Sequence, residues 1–339
     1  MTRVIAADDV MRLIHRETLP RFFKELIQEL KMDFIRWDEF EKSPRHATYV
    51  LDGVIELMPI ADKEYYAYKY VNGHPKNPLQ HKQTVIGIGQ LSLISTGYPI
   101  LIAEMTLLTA LRTAATSALC SLYMAPKKAK NFGIIGTGAQ SEFQALAHYF
   151  ALGLEEIYYY DTDASAMEKF AKNLLPFSLR LHPCKAAREV VEKSDLITTA
   201  TARKGHHKVI ESSWIQKGCH INKIGGDCPG KTEMDAALLE RAKIVVELLE
   251  QSKIEGEIQQ LQKPLIYAAL WELASGAKKG RTADDEITLF DSVGFALEDY
   301  SVLKLVHRLA EEYNIGHQLE MVPNIPNPKD LFAALQYEI

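Results

Sequence analysis

Apolar positions follow two different periods, and the change from one to the other divides the chain. Phe22, Phe23, Leu26, Ile27 and Leu30 recur at helical spacing and predict an amphipathic helix over about residues 20–34. Strand-like alternation follows. Residues 46–51 and 54–58 flank Asp52-Gly53 and read as a hairpin with a primed turn. Residues 65–71, 84–91 and 98–103 are further strands, so this stretch is a meander rather than a βαβ series. A helix rich in Ala and Leu spans 106–124 and stops before Pro126. Beyond it the texture becomes alternating. Strands are expected at 131–135, 157–160, 179–182, 196–199, 220–224 and 244–248, with helices at 141–152, 164–175 and 185–193 interleaved. That alternation predicts a doubly wound parallel sheet. The tail from about residue 253 reads as more helix with a strand at 288–290, and the pattern alone does not assign it to either part.

At 339 residues the chain is long for one core, so two domains are expected. The fold class is α/β, a Rossmann-type doubly wound unit with a second α+β unit. An apolar fraction of 47%, a charged fraction of 24% and a net charge of −5 with interspersed signs suit a soluble globular protein. They argue against a nucleic-acid surface or a polybasic membrane patch. Cys120, Cys184, Cys219 and Cys228 form no Cys-x-x-Cys pair and no cluster with His, so neither a metal site nor a disulfide framework is expected. No signal-peptide run opens the chain, and the longest apolar stretch, 98–111, is broken by Glu104. A cytoplasmic enzyme is the plain expectation.

The first chemistry-bearing motif is Gly133-Ile134-Ile135-Gly136-Thr137-Gly138-Ala139-Gln140. A strand precedes it, a helix follows, and Asp161 closes the next strand. Gly136 permits the tight turn, and Gly138 lets the backbone approach a pyrophosphate. The helix start offers amides and a favourable dipole to phosphate oxygens. Asp161 suits the ribose hydroxyls and repels a 2′-phosphate, which favours NAD over NADP. Ser141 stands where the usual third glycine falls. The competing reading, a turn in an unrelated α/β protein, has only the glycines in its favour.

Ligands of such sheets gather at the carboxyl ends of the strands. Thr198–Thr201, Asn222–Asp227 and Asp291-Ser292 all lie at such ends. Asp227 on a Gly-Gly turn is placed for catalysis, although a turn or helix-capping acid has the same appearance. Within the meander, Arg45, Glu56 and Lys69 are isolated charges among apolar residues, as is Arg112 in the Ala-rich helix. Each alone reads as a solvent-facing side chain. Together they describe a site for an amino acid, with two or three cations for a carboxylate and Glu56 for an amine.

Several of these segments resemble the ornithine cyclodeaminase/mu-crystallin family. They are Val54-Ile55-Glu56-Leu57-Met58-Pro59, Lys69-Tyr70-Val71-Asn72-Gly73-His74-Pro75, Leu111-Arg112-Thr113-Ala114-Ala115-Thr116-Ser117, Gly225-Gly226-Asp227-Cys228-Pro229-Gly230-Lys231-Thr232-Glu233, Ile254-Glu255-Gly256-Glu257-Ile258-Gln259-Gln260 and Phe290-Asp291-Ser292-Val293-Gly294-Phe295-Ala296-Leu297-Glu298-Asp299. The resemblance runs from about residue 34 to residue 332. It implies a homodimer with a substrate and dimerisation domain at 1–116, joined by 315–339, and an NAD domain at 117–314. It implies that Arg45, Lys69 and Arg112 hold a substrate carboxylate, with Glu56 and Val293 near the substrate and Asp227 as acid/base. Beside Gly136 and Gly138 of the glycine motif, it implies NAD contacts from Thr84, Arg112, Ala139, Gln140, Asp161, Thr201, Ile221, Asn222, Lys223, Ile224, Lys231 and Ser292. Thr137 and Lys223 depart from the family pattern, both in the NAD pocket. The implied reaction is L-ornithine to L-proline and ammonia, with NAD reduced and regenerated within each turnover. The alternatives are an NAD(P)-dependent imine reductase or amino-acid dehydrogenase of the same family, lysine as a substrate, and a non-catalytic mu-crystallin-like binder. One methylene discriminates by only about 1–3 kcal/mol in a pocket, so some lysine activity is compatible with the same residues.

Overall fold

The computed structural model describes residues 1–51, 53–202, 205–226 and 228–335. The first part of the chain runs β1 (Thr2–Ile5), α1 (Ala7–Glu17), α2 (Leu19–Ile35), β2 (Glu41–Lys42), β3 (His46–Val50), β4 (Gly53–Ala61), β5 (Tyr65–Gly73), β6 (Val85–Leu93), β7 (Pro99–Glu104) and α3 (Thr106–Met124). The second continues β8 (Asn131–Ile135), α4 (Ser141–Leu152), β9 (Glu156–Tyr160), α5 (Ala164–Leu174), β10 (Arg180–Pro183), α6 (Ala187–Lys193), β11 (Leu196–Thr199), β12 (His206–Ile210) and β13 (His220–Lys223). It ends with β14 (Thr232–Met234), α7 (Ala236–Leu239), β15 (Ala242–Val246), α8 (Leu249–Glu255), β16 (Ile266–Ala269), α9 (Leu270–Ala274), β17 (Ile287–Asp291), α10 (Ala296–Glu312) and β18 (His317–Leu319).

The meander forms one sheet of order β18-β1-β7-β6-β5-β4-β2, with β3 added on β4. Its strands carry the expected period of two. Val54, Glu56, Met58 and Ile60 of β4 point inward, as do Ala67, Lys69 and Val71 of β5. Leu57, Tyr66, Tyr70, Ile86 and Ile88 point outward and are exposed. The inner face is covered by α10, which packs on β4, β5 and β6, and by α2 and α3 behind it. Phe22, Phe23, Leu26, Leu30 and Phe34 of α2 are fully buried there, each contributing about 1.5–3 kcal/mol. The last strand, β18, returns to pair antiparallel with β1.

The second sheet has the order β10-β9-β8-β11-β13-β17-β15-β16, and all its pairs are parallel. Its β10-β9-β8-β11-β13 portion is the doubly wound arrangement anticipated from the alternating pattern. The chain reverses direction across the sheet between β8 and β11, where such folds open a crevice for a ligand. Helix α3 joins the halves: it contacts β6 on one side and β13 and β17 on the other. One continuous core therefore runs from Phe22 through Leu111 and Leu119 to Phe132 and Ile134.

Element bounds agree with the sequence pattern to within two residues for the helices and strands of the second sheet. Several features were not anticipated: β1, α1, β2, the two-stranded β12-β14 pair, α7, α8, the edge strand β16 and β18. All but α1 are short, and α1 buries only Asp9, Val10, Leu13 and Glu17, too few apolar residues for periodicity to register. No described helix is long and apolar enough to cross a membrane.

Candidate active site

The glycine loop leaves β8 at the reversal point. Gly136 has φ +96°, and a Cβ there would lie 2.7 Å from the Ala200 carbonyl oxygen at the end of β11, so only glycine fits. Gly138, by contrast, faces open space with no atom within 4 Å of where a Cβ would stand. Gln140 precedes α4, and its side-chain Oε1 is buried without a hydrogen-bond partner among the described residues. An open cradle, an unanswered polar atom and a helix start at one place fit a dinucleotide pyrophosphate. Ser141 does not obstruct it, because its hydroxyl turns back to donate to the Gly138 carbonyl at 2.7 Å.

Asp161 follows β9 and is oriented before any ligand arrives. Its Oδ2 accepts from the Thr137 amide at 2.6 Å and the Thr137 hydroxyl at 3.3 Å, and its Oδ1 accepts from the Asp163 amide at 3.0 Å. Thr137 is thus a buried brace for the acid. Thr201 donates its amide to Glu233 Oε1 at 2.9 Å, and its hydroxyl donates to the same oxygen. Ile221, Asn222 and Lys223 form β13. The Asn222 amide group donates to Ser121 at 2.9 Å and to His148 at 3.1 Å. Burial pushes His148 down to about 4, so it is neutral and can accept. The Lys223 ammonium is fully buried, 3.6 Å from Glu257 and 3.7 Å from Asp291. Burial and the charge of Asp291 lift Glu257 to about 7 against the pull of Lys223. Ile224 donates its amide to the Thr199 carbonyl at 3.1 Å. Lys231 is buried, and its carbonyl accepts from Gln259 at 3.2 Å. Thr84 stands apart, just before β6, where its carbonyl accepts from His74 within the first sheet.

The isolated charges of the meander do not face solvent. Arg45, Glu56, Lys69 and Arg112 all have buried side chains and fall in two neighbouring ion-pair groups, Arg45 with Glu56, and Lys69 with Arg112 on Asp299, close enough for Arg45 and Arg112 to feel each other's charge. Arg45 Nη1 donates to Glu56 at 3.2 Å, its Nε lies 3.4 Å from Glu255, and its amide donates to Gln251 at 2.8 Å. Lys69 Nζ donates to Asp299 Oδ1 at 2.8 Å, and Arg112 Nε donates to the same oxygen at 3.0 Å. Arg112 Nη1 reaches Glu298 at 2.5 Å. Three cations therefore face four carboxylates. Burial, with Arg112 nearby, lowers Lys69 to about 8 despite its pairing with Asp299. Arg45 and Arg112 stay fully charged, since the surrounding carboxylates outweigh their burial. Glu255, Glu298, Asp299 and Gln251 carried no role in the sequence reading.

The cluster and the crevice meet at the turn after β17. Arg45 Nη2 donates to the Val293 carbonyl at 2.5 Å and the Gly294 carbonyl at 2.6 Å. Gly294 has φ +79° and lies beneath the Arg112 guanidinium. Ser292, two residues earlier, donates its hydroxyl to Glu247 at 2.6 Å. Burial and the neighbouring Glu298 lift Glu247 to about 8. Asp227 lies outside the described residues, although Gly225 and Gly226 ahead of it are described. Among the described residues, no group of three or more His, Cys, Asp or Glu side chains could hold a metal ion.

Comparison with known proteins bears on this arrangement. The chain is 45% identical over 331 residues to an ornithine cyclodeaminase from Brucella suis, covering 98% of this chain and 92% of that protein. It superimposes on a lysine cyclodeaminase, solved for recognition of L-lysine, L-ornithine and L-2,4-diaminobutyric acid, with a TM-score of 0.92 at 29% identity, over 99% of both chains. It superimposes on an archaeal alanine dehydrogenase dimer with bound NAD with a TM-score of 0.87 at 31% identity, over 95% of this chain and 99% of that one. The model of the ornithine cyclodeaminase/mu-crystallin family matches residues 7–314, and the chain belongs to that family.

Proposed function

We propose that this protein converts L-ornithine to L-proline and ammonia, with NAD as a cofactor that is regenerated in every turnover. The observation that carries the reading is the buried cluster of Arg45, Lys69 and Arg112 with their carboxylates, built against the turn that borders the dinucleotide crevice. The identity to ornithine cyclodeaminases supports the substrate class. In this reading Arg45, Lys69 and Arg112 receive the substrate carboxylate, and Glu56 receives the distal amine. Asp227 takes a proton from the α-amine and later returns one to the departing ammonia. Bound NAD supplies reversible two-electron oxidation of the α-carbon. The walls of the pocket fold the substrate so that its δ-nitrogen reaches that carbon, and such orientation is worth roughly 7–11 kcal/mol. One C–N bond forms, one breaks, and no net oxidation results.

We divide the labour between two parts of the chain, although α10 of the second part packs on the first sheet and brings Glu298 and Asp299 to the cations. Residues 1–116 with 315–339 hold the amino acid, and residues 117–314 hold NAD through Gly136, Gly138, Ala139, Gln140 and Asp161. Thr84, Thr201, residues 221–224, Lys231 and Ser292 complete the cofactor's surroundings, and Val293 those of the substrate. We assign the exposed outer face of the first sheet to a homodimer. Leu57 of β4 pairs across with Tyr70 of β5, and Tyr70 with Ile88 of β6, giving an apolar row on a sheet face that no described helix covers.

The test is a single incubation of the protein with L-ornithine and NAD. Proline and ammonia should appear in equal amounts with no accumulating absorbance from NADH. NADH formed in proportion to ornithine consumed would refute the reading and identify a dehydrogenase.

A further inference from the structure

The turn Ser292-Val293-Gly294 is gripped by groups from four separate segments of the chain. The Ser292 amide donates to the Lys223 carbonyl at the end of β13, at 2.9 Å. Arg45 holds the carbonyls of Val293 and Gly294, and Arg112 of α3 lies over Gly294, where a Cβ would meet its Nη1 at 2.9 Å. The remaining donors go to one side chain. Glu247, just beyond β15, accepts from the Ser292 hydroxyl at 2.6 Å and the Gly294 amide at 3.2 Å through Oε1, and from the Val293 amide at 3.2 Å through Oε2. Glu247 is fully buried, and its described hydrogen bonds all go to this turn. Burying a carboxyl group is costly unless its oxygens are answered, and here three donors answer two oxygens.

We propose that Glu247 is a positioning residue that couples NAD binding to amino-acid binding. It rests on the functional reading above, in which Ser292 borders the cofactor and Val293 the substrate. By holding all three donors, Glu247 makes the turn one rigid piece. Arg45 grips that piece from the substrate side, so a carboxylate that re-aims Arg45 moves the cofactor wall as well. Once ionised, Glu247 only accepts, and neither an apolar residue nor glutamine then answers all three donors. Glutamine keeps one acceptor oxygen but presents an NH2 group to an amide that also donates. A merely structural acid would hold the fold together without linking the two ligands.

The experiment measures the Kd of NAD by calorimetry with and without saturating L-proline, in the wild type, Glu247→Gln and Ser292→Ala, with a melting curve for each. The wild type should bind NAD at least about fivefold more tightly when L-proline is present, and L-proline should gain by the same factor. Glu247→Gln should bring that factor close to one and weaken both ligands, with a melting temperature lowered by the facing donors but a single cooperative transition retained. Ser292→Ala removes one of the three donors and should give an intermediate factor. An undiminished factor in Glu247→Gln overturns the proposal, as does a wild type that binds both ligands independently. If Glu247→Gln does not fold, Ser292→Ala decides, and an unchanged factor there is equally fatal. A wild type that binds neither NAD nor L-proline refutes the functional reading itself, a result distinct from binding without coupling.

Discussion

Replacing Lys69 with methionine keeps an unbranched side chain one atom shorter and removes a charge from the buried ionic cluster that we assign to the substrate. The ammonium is 1% exposed and 2.8 Å from Asp299 Oδ1. Asp299 would retain Arg112 Nε at 3.0 Å, so the carboxylate is not abandoned and the fold should survive. The substrate would lose one hydrogen bond between charged groups, which contributes about 1.5–3 kcal/mol. At 1.4 kcal/mol per tenfold, the KM for ornithine should rise about 10- to 150-fold, with a smaller change in kcat. The lowered pKa of Lys69, about 8, adds a second signature. Below that pH the side chain is charged and holds the carboxylate; above it the charge is lost, and the KM should climb as pH rises. Folding runs the other way. Native Lys69 binds its proton less tightly than the unfolded chain does, so its contribution to stability is present above the unfolded value and lost as pH falls through about 8. The assay is steady-state kinetics in ornithine from pH 6 to 10 on the wild type, Lys69→Met and Lys69→Arg. Arginine stays charged throughout and should remove the alkaline rise. A methionine variant within twofold of the wild-type KM, or an alkaline rise that persists unchanged in Lys69→Arg, would show that Lys69 does not hold the carboxylate.

Three further outcomes are expected. Asp227→Ala should lower kcat by roughly 100- to 10,000-fold, as loss of a general acid/base does, while calorimetry finds NAD binding unchanged. Asp161→Gly should weaken NAD and narrow its preference over NADP, because a charge that repels a 2′-phosphate is gone; unchanged selectivity would remove Asp161 from the ribose site. Glutamate at both Leu57 and Tyr70 would place like charges opposite each other on the outer sheet face, and sedimentation velocity should then find a monomer.

The glycine loop is legible in the sequence because its constraints are local. A strand, a turn that excludes Cβ atoms and a helix start fall within about twenty consecutive residues, and the spacing to Asp161 is short. The cation cluster is legible only as a set. Lys69 among tyrosines has no local reason to point inward, and burial emerges from the alternation of β5 with Ala67 and Val71. The acids that answer the cations leave no local trace, since Asp299 is 187 residues from Arg112 and 230 from Lys69. Glu298 and Asp299 occupy the first turn of α10, where acids ordinarily cap a helix in solvent. Their position directly after the Ser292–Phe295 segment was the available hint. Glu247 likewise gives no warning: it is one acid beyond an apolar strand, and its partners lie 45 to 47 residues away.

Strand β5 places Lys69 on the inner face and Tyr70 on the outer one, each fixed by its register with β4 and β6. A shift of one residue exchanges the two faces along the whole strand. It would carry an ammonium into the apolar row and a phenol ring into the ionic cluster. Insertions and deletions in the loops that flank this strand are therefore under a parity constraint. Those that preserve the pairing can be tolerated, whereas one that slips it by a single position disrupts the buried ionic cluster and the outer apolar row at once. Variation among natural relatives should accordingly accumulate in substitutions of the outward side chains rather than in the spacing that sets which side chains are outward.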